Sequence, residues 1–215
     1  MKDISRATIL FVDDDPCMRE VMAMILAEEG YEVTTAADGF DALAQLRSIV
    51  PDLLISDLQM PRMSGDEFLS VVRRRFPAIP VIAISGAYDM NEFLPAGVMA
   101  DAFYPKSRCH PDELMRTVRE LMYGKLARPT NYRPCHPAQV QTARNGVDRN
   151  GNPTLLLTCT ECLRAFTSAE AETSQGVMQT DCPFCMAPLN FVRAFPLSPS
   201  PAAIDTCDAA SVPAA

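Results

Sequence analysis

Two hydrophobic rhythms alternate along the first 125 residues. Short continuous apolar runs are each followed by a stretch in which apolar residues recur every third or fourth position. A run of that kind suits a parallel strand covered on both faces, and the three-to-four spacing suits an amphipathic helix laid against it. Thr8 to Val12 reads as the first strand. Asp15-Pro16 then caps and opens a helix whose stripe is Met18, Val21, Met22, Ile25 and Leu26, ending at Gly30. The methionines of that stripe read as core filler. Tyr31 to Thr35 is a second strand, Asp38 to Ser48 a second helix with Leu43 and Leu46 inward, and 52–56 a third strand. A third helix, from Ser64 or Gly65 to Phe76, turns Phe68, Leu69, Val71 and Val72 inward. Its Arg73-Arg74-Arg75 reads as a solvated last turn that complements the helix dipole. Pro80 to Ser85 is a fourth strand, Ala102 to Tyr104 a short fifth, and Pro111 to Gly124 a fifth helix carrying Leu114, Val118, Leu121 and Met122. The fourth helix, Tyr88 to Ala100, is poor because Pro95 and Gly97 interrupt it. Five strands alternating with five helices predict an α/β domain over 1–125, a doubly wound five-stranded parallel sheet.

The rhythm then changes. Arg128-Pro129-Thr130-Asn131-Tyr132-Arg133-Pro134 marks 126–150 as an extended linker. Leu155-Leu156-Leu157 and Leu189-Asn190-Phe191-Val192 are strands of a small β-rich module over 151–195. The Pro-, Ala- and Ser-rich tail 196–215 is expected to be disordered.

Charge narrows the partners. The formal net charge of −8 divides into −7 for 1–125 and −1 for 126–215. Neither part has the basic excess that phosphate-backbone binding depends on, which disfavours nucleic acid. The first apolar run is too short for a signal peptide or membrane span. Four of the eight cysteines form two C-x-x-C pairs and four are scattered, a pattern of the reducing cytoplasm and of a metal or redox site.

The strand ends carry the chemistry. In an open α/β sheet ligands bind at the carboxyl ends of the strands, where this chain places Asp13, Asp14, Asp57, Ser85 and Lys106. Asp57 follows the run Leu53-Leu54-Ile55, and Pro61 and Gly65 turn the chain away before the next helix. Three close carboxylates need a cation to stay ionised, and hard oxygen ligands suit Mg²⁺. Such an ion beside a carboxylate nucleophile, with a hydroxyl and a lysine opposite, would neutralise a transferring phosphoryl group; the product is an acyl phosphate on an aspartate.

With Ile-Leu-Phe-Val-Asp-Asp-Asp-Pro, Asp-Leu-Gln-Met-Pro-Arg-Met-Ser-Gly, Ile-Ala-Ile-Ser-Gly and Phe-Tyr-Pro-Lys in this order and spacing, residues 6–124 resemble the flavodoxin-like receiver domain of two-component response regulators. The resemblance implies that Asp57 is the phosphoacceptor. It implies that Asp14 binds Mg²⁺ directly, Asp13 largely through water, and the Gln59 backbone carbonyl completes the protein ligands. Ser85 would bond a phosphoryl oxygen, Lys106 would pair with another, and Phe103 would be the aromatic that follows the hydroxyl residue. Two positions depart from the family: Ser107 stands where a proline with a cis bond is usual, and Pro95 sits in the fourth helix.

In the second half, Cys159-x-x-Cys162 and Cys182-x-x-Cys185 are separated by 19 residues, a four-cysteine zinc spacing. Each C-x-x-C turn offers two thiolates to one ion, and two turns complete a tetrahedron. The segment resembles a zinc ribbon, although Leu163 and Met186 stand where such knuckles often have glycine. Iron suits the same ligands. Cys135-His136 reads as linker, Cys109-His110 as helix-entry surface, and Cys17 lacks the positive surroundings that activate a thiol.

These readings predict a phosphoacceptor rather than an enzyme. A sensor histidine kinase or phosphotransfer protein would be the donor and an unidentified protein the downstream contact. The fourth helix, fifth strand and fifth helix would be the face for that contact or for a homodimer, with the zinc module as output or docking element. Alternatives are a receiver fold that binds without being phosphorylated, and a metal- or redox-sensing regulator acting through the four cysteines. A haloacid dehalogenase type of phosphatase wants a second aspartate two residues after the nucleophile, and Gln59 occupies that position.

Overall fold

The computed structural model describes residues 6–86, 99–106, 111–124, 138–141, 146–147, 150–151, 153–169 and 177–194. Five strands, β1 (Thr8–Val12), β2 (Glu32–Ala36), β3 (Leu53–Asp57), β4 (Val81–Ser85) and β5 (Ala102–Pro105), form one sheet in the order β2-β1-β3-β4-β5. Every neighbouring pair is parallel. The helices are α1 (Pro16–Glu28), α2 (Gly39–Leu46), α3 (Gly65–Arg75) and α4 (Pro111–Tyr123), the last being the fifth helix of the sequence reading. Most of the span expected as a fourth helix, with Pro95 and Gly97, lies outside the described residues, as do Ser107, Cys109-His110, Cys135-His136 and the tail 196–215.

Alternation along each strand divides the core in two. Leu10, Val12, Leu54, Val81 and Ala83 face α2 and α3, while Ile9, Phe11, Leu53, Ile55, Ile82 and Ile84 face α1 and α4. Both faces are covered, so the central strands β1, β3 and β4 are buried along almost their whole length, whereas the edge strand β2 carries Glu32, Thr34 and Thr35 and is only partly buried. The stripe on α1 is narrower than its spacing implied: Met22 and Leu26 are buried, but Val21 is 46% exposed.

The helix starts follow local chemistry. Asp15, Asp38 and Ser64 cap α1, α2 and α3, each side chain accepting from backbone N–H groups of the first turn. Gly65 is required by proximity. A Cβ there would lie 2.1 Å from the Asp57 carbonyl oxygen, and the Gly65 N–H already donates to the Leu58 carbonyl at 2.9 Å. α3 therefore begins directly against the end of β3.

One expectation for α3 is corrected. Arg73 is not part of a solvated turn but is 4% exposed and ion-paired with buried Asp101. Its Nε donates to the Met99 carbonyl at 2.9 Å and its Nη1 to the Ile79 carbonyl at 2.8 Å. Asp101 in turn accepts from the Val81 N–H at 2.7 Å. The guanidinium is buried because its donors are met by oxygens from the segments flanking β4. Arg75 remains exposed, as a helix end should.

The second half is built from short strands: β6 (Ala138–Gln141), β7 (Gly146–Val147), β8 (Pro153–Thr158), β9 (Ala165–Ala169), β10 (Met178–Asp181) and β11 (Pro188–Ala194). They form two three-stranded sheets, β7-β8-β9 and β10-β11-β6. The first is antiparallel; in the second β10 runs antiparallel to β11 and β6 parallel to it. β6 and β7 lie within 126–150, the span whose prolines marked a linker. Among the described residues no helix is long and apolar enough to cross a membrane.

Candidate functional site

Parallel strands that start together also end together, and the ends of β1 and β3 bring three carboxylates to one place. Ligand oxygens of Asp13, Asp14 and Asp57 all lie within 4.8 Å of one another. Asp13 and Asp57 are buried and Asp14 is exposed. Lys106, just past β5, reaches across: its Nζ donates to Asp57 Oδ2 at 2.7 Å and lies 2.8 Å from Asp13 Oδ2. The second contact is an ion pair with a fully buried carboxylate. Asp57 Oδ1 accepts from the Gln59 N–H at 3.0 Å. Asp13 Oδ1 accepts from the Asp15 N–H at 3.0 Å, and the Asp13 carbonyl from Arg19 Nη1 at 2.7 Å.

The balance of charge explains the proton affinities. Burial raises the Asp57 carboxyl above the usual carboxylate value, against the lowering by Lys106 and the Gln59 N–H. For Lys106 burial is the largest single influence and lowers its pKa. The hydrogen bonds and charges of Asp13 and Asp57 together outweigh it, and the ammonium is held above its ordinary value. Three carboxylates against one ammonium leave an excess of negative charge that a hard divalent cation would offset. The donor set is consistent with Mg²⁺.

Ser85 is fully buried at the end of β4, paired in register with Pro105 of β5. Phe103 pairs with Ala83 two positions earlier in the same ladder and is partly buried against the α2/α3 core. Sequence reasoning thus placed each of these residues at the strand ends, but missed two neighbours. Asp38, noticed only as the start of a helix, is 2% exposed and ion-paired with Arg62 of the loop after β3. Arg62 has φ 65°, a left-handed conformation that no sequence pattern announced.

The four cysteines of the second half also converge. Sγ atoms of Cys159 and Cys185 are 3.6 Å apart, those of Cys162 and Cys182 3.7 Å, and all four lie within 4.8 Å of one another. A tetrahedron with metal–sulfur bonds of about 2.3 Å has edges of about 3.8 Å, so the thiols stand where one zinc ion would hold them. The two knuckles repeat each other. The Leu163 N–H donates to the Cys159 carbonyl at 3.0 Å and the Met186 N–H to the Cys182 carbonyl at 2.9 Å. The Glu161 and Phe184 N–H groups each reach the first sulfur of their knuckle at 3.4 Å. Leu163 and Met186, in the place of the usual glycine, both adopt positive φ, 57° and 60°. Burial pushes the Cys159 thiol up to about 12. Burial also opposes ionisation of Cys182, but the Phe184 and Cys185 N–H groups bring it down to about 7. Free thiols this close repel once ionised, and a cation would hold all four as thiolates.

A five-stranded parallel sheet in 2-1-3-4-5 order with an acidic cluster at its carboxyl edge defines a doubly wound fold with a site consistent with Mg²⁺. Residues 9–119, more than half of the chain, match the response regulator receiver domain, and the chain belongs to that family. It is 40% identical over 93 residues to the probable transcriptional regulatory protein TcrX of Mycobacterium tuberculosis, covering 43% of this chain and 39% of that protein. It is 27% identical over 149 residues to the DNA-binding response regulator MtrA of Mycolicibacterium smegmatis, covering 69% of this chain and 65% of MtrA. The chain therefore spans less than two thirds of the length of these curated relatives. Among solved structures it is similar to a CheY-like receiver domain protein from Methanospirillum hungatei. There the TM-score is 0.51 at 30% identity, over 55% of this chain and 94% of that one. Receiver domains are phosphoacceptor signalling modules that partner with histidine kinases, and the acidic pocket and four-cysteine cluster both belong to this chain.

Proposed function

We propose that the protein is a cytoplasmic response regulator phosphorylated on Asp57. The observation that carries this is the buried Asp57 carboxylate at the end of β3, sharing the Lys106 ammonium with Asp13 inside a cluster of three acids. In the reaction a carboxylate oxygen of Asp57 attacks the phosphorus of a phosphohistidine on a kinase or phosphotransfer protein. The P–O bond forms as the P–N bond breaks, and the imidazole leaves. Asp14 directly, Asp13 through water, and the Gln59 backbone carbonyl would hold Mg²⁺, which supplies charge neutralisation for the transferring group. Lys106 passes from the carboxylate to a phosphoryl oxygen. Ser85 donates its hydroxyl to another, and Phe103, two residues from the register partner of Ser85 in the adjoining strand, repacks with it.

The output is a protein contact. The chain resembles regulators whose names record DNA binding, but 126–215 is weakly acidic and carries no helix-turn-helix pattern, so DNA is disfavoured. Zn²⁺ on Cys159, Cys162, Cys182 and Cys185 would fold the second half into an output or docking element, with iron as a second candidate for the same sulfurs.

Intact mass spectrometry of the full chain with Mg²⁺ and acetyl phosphate tests the reading. A single phosphoryl adduct that is absent in Asp57→Ala is the expected result. An adduct persisting in the variant, or none in the wild-type chain, would overturn it.

A further inference from the structure

α3 is enclosed on every side. Glu67 through Arg73 are buried without a break, and seven residues sweep almost two full turns, so no direction around the axis is left to solvent. One side is ordinary. Phe68, Leu69, Val71 and Val72 belong to the core cluster between the sheet and α2. The other side carries Glu67, Ser70 and Arg73 at three-residue spacing, polar groups that a surface helix leaves in water.

Arg73 is covered by the receiver's own Ile79, Met99 and Asp101, and further cover comes from the second half of the chain. β6 lies against α3, and β6 is hydrogen-bonded to β11, the strand that follows the second cysteine knuckle. The first knuckle adds two contacts. Arg75 Nε donates to the Glu161 carbonyl at 3.2 Å. Leu163, 6% exposed, is part of the receiver's α2/α3 core cluster and not of the cluster that surrounds the cysteines. The twin knuckle supplies an internal control. Met186 follows Cys185 as Leu163 follows Cys162, with the same left-handed backbone, yet it is 72% exposed. Knuckle geometry is common to both; burial belongs to the one that touches the receiver.

We propose that the four-cysteine module is an intramolecular cover for the outer face of α3, seated by β6 and Leu163, and that metal at the cysteines controls whether it is seated. This rests on the zinc reading above. A positive φ at a leucine is a strained conformation that the surroundings must impose. Two thiolates biting one ion, with the Leu163 N–H bonded to the Cys159 carbonyl, impose it on the first knuckle. Without the ion that restraint goes, Leu163 withdraws, and the part of α3 that β6 and the first knuckle cover is exposed. The occupant of this face in the metal-loaded protein is therefore the chain itself.

Hydrogen exchange on the full chain decides it, with metal content read by native mass on every sample. The set is the zinc-loaded wild type, the chelator-stripped wild type, and zinc-loaded Leu163→Asp, Leu163→Ala and Met186→Asp. The expected result is exchange at least about tenfold faster across 67–76 in the stripped protein and in both Leu163 variants, with Met186→Asp and the β1 and β3 peptides unchanged. The alanine variant keeps the test readable if aspartate disturbs the knuckle itself. Unchanged exchange in stripped protein that has verifiably lost zinc would overturn metal control. Unchanged exchange in both Leu163 variants would overturn the seat. A chain that takes up no metal would overturn the zinc reading and metal control with it, and the Leu163 and Met186 pair would still show whether the module covers α3.

Discussion

The two halves of this chain bury different things. In the receiver, apolar side chains fill both faces of the sheet, and the carboxylates and lysine stand at its edge, where a cation or phosphoryl group meets a scaffold that already exists. In the second half the interior is Leu155, Leu157, Phe166, Leu189 and Phe191 together with Cys159 and Cys182, two of the four candidate ligands. There the site is the core. A binding site at the rim of a packed sheet can be emptied without consequence for the fold, whereas a site that supplies the interior cannot.

Removing metal should therefore split the molecule. Structural zinc in small domains contributes about 10–16 kcal/mol, more than a module with so few apolar residues replaces. A strong chelator is expected to collapse the amide dispersion of 153–169 and 177–194 in a heteronuclear spectrum, while β1 to β5 keep theirs and phosphorylation persists. Retention of module signals after the metal is gone would break the comparison, as would collapse of the receiver with them.

The next effect lies within the receiver. Arg73 and Asp101 form a buried pair in which backbone carbonyls accept from Arg73 Nε and Nη1 and the Val81 N–H donates to Asp101 Oδ2, while among the described residues Asp101 Oδ1 has no hydrogen-bond partner. Breaking such a pair leaves an uncompensated charge, at a cost of about 3–5 kcal/mol. Arg73→Met is expected to lower the urea midpoint of the receiver transition accordingly, and adding Asp101→Asn should recover part of the loss because no lone charge remains. A midpoint unmoved by Arg73→Met would mean that the pair contributes nothing to stability.

Arg73 also marks where the sequence stops being readable. The receiver strands and the convergence of Asp13, Asp14, Asp57 and Lys106 followed from local patterns, because a short apolar run fixes its own strand and parallel strands align their ends. The cysteine cluster followed from spacing, because ligation imposes it. Arg73 looked like a helix terminus since position in a helix is local information, while its partners come from segments brought in by the fold. The burial of Leu163, and the place of β6 against α3 from inside a proline-marked span, depend on contacts between halves of the chain. No periodicity encodes such contacts.

The smallest effect is a proton. Asp66, in the first turn of α3, has its carboxyl pushed from 3.8 to about 6 by burial. Among the described residues its Oδ1 has no hydrogen-bond partner. The fold favours the neutral acid, so the stability this group contributes is fully present below the unfolded value of 3.8 and is lost as the pH rises through about 6. The interval corresponds to at most about 3 kcal/mol, and residual exposure of the side chain brings the expectation to about 1–2 kcal/mol. Asp66→Asn keeps the shape and removes the charge. It is expected to raise the receiver's urea midpoint above wild type at pH 7.5, with the advantage shrinking steadily as the pH approaches 4. A variant with the same advantage at every pH would locate the gain in shape rather than charge. No advantage at pH 7.5 would mean that the ionised carboxylate is solvated in the folded chain. Either result separates this buried acid from those at the strand ends, where Lys106 gives the charge a partner.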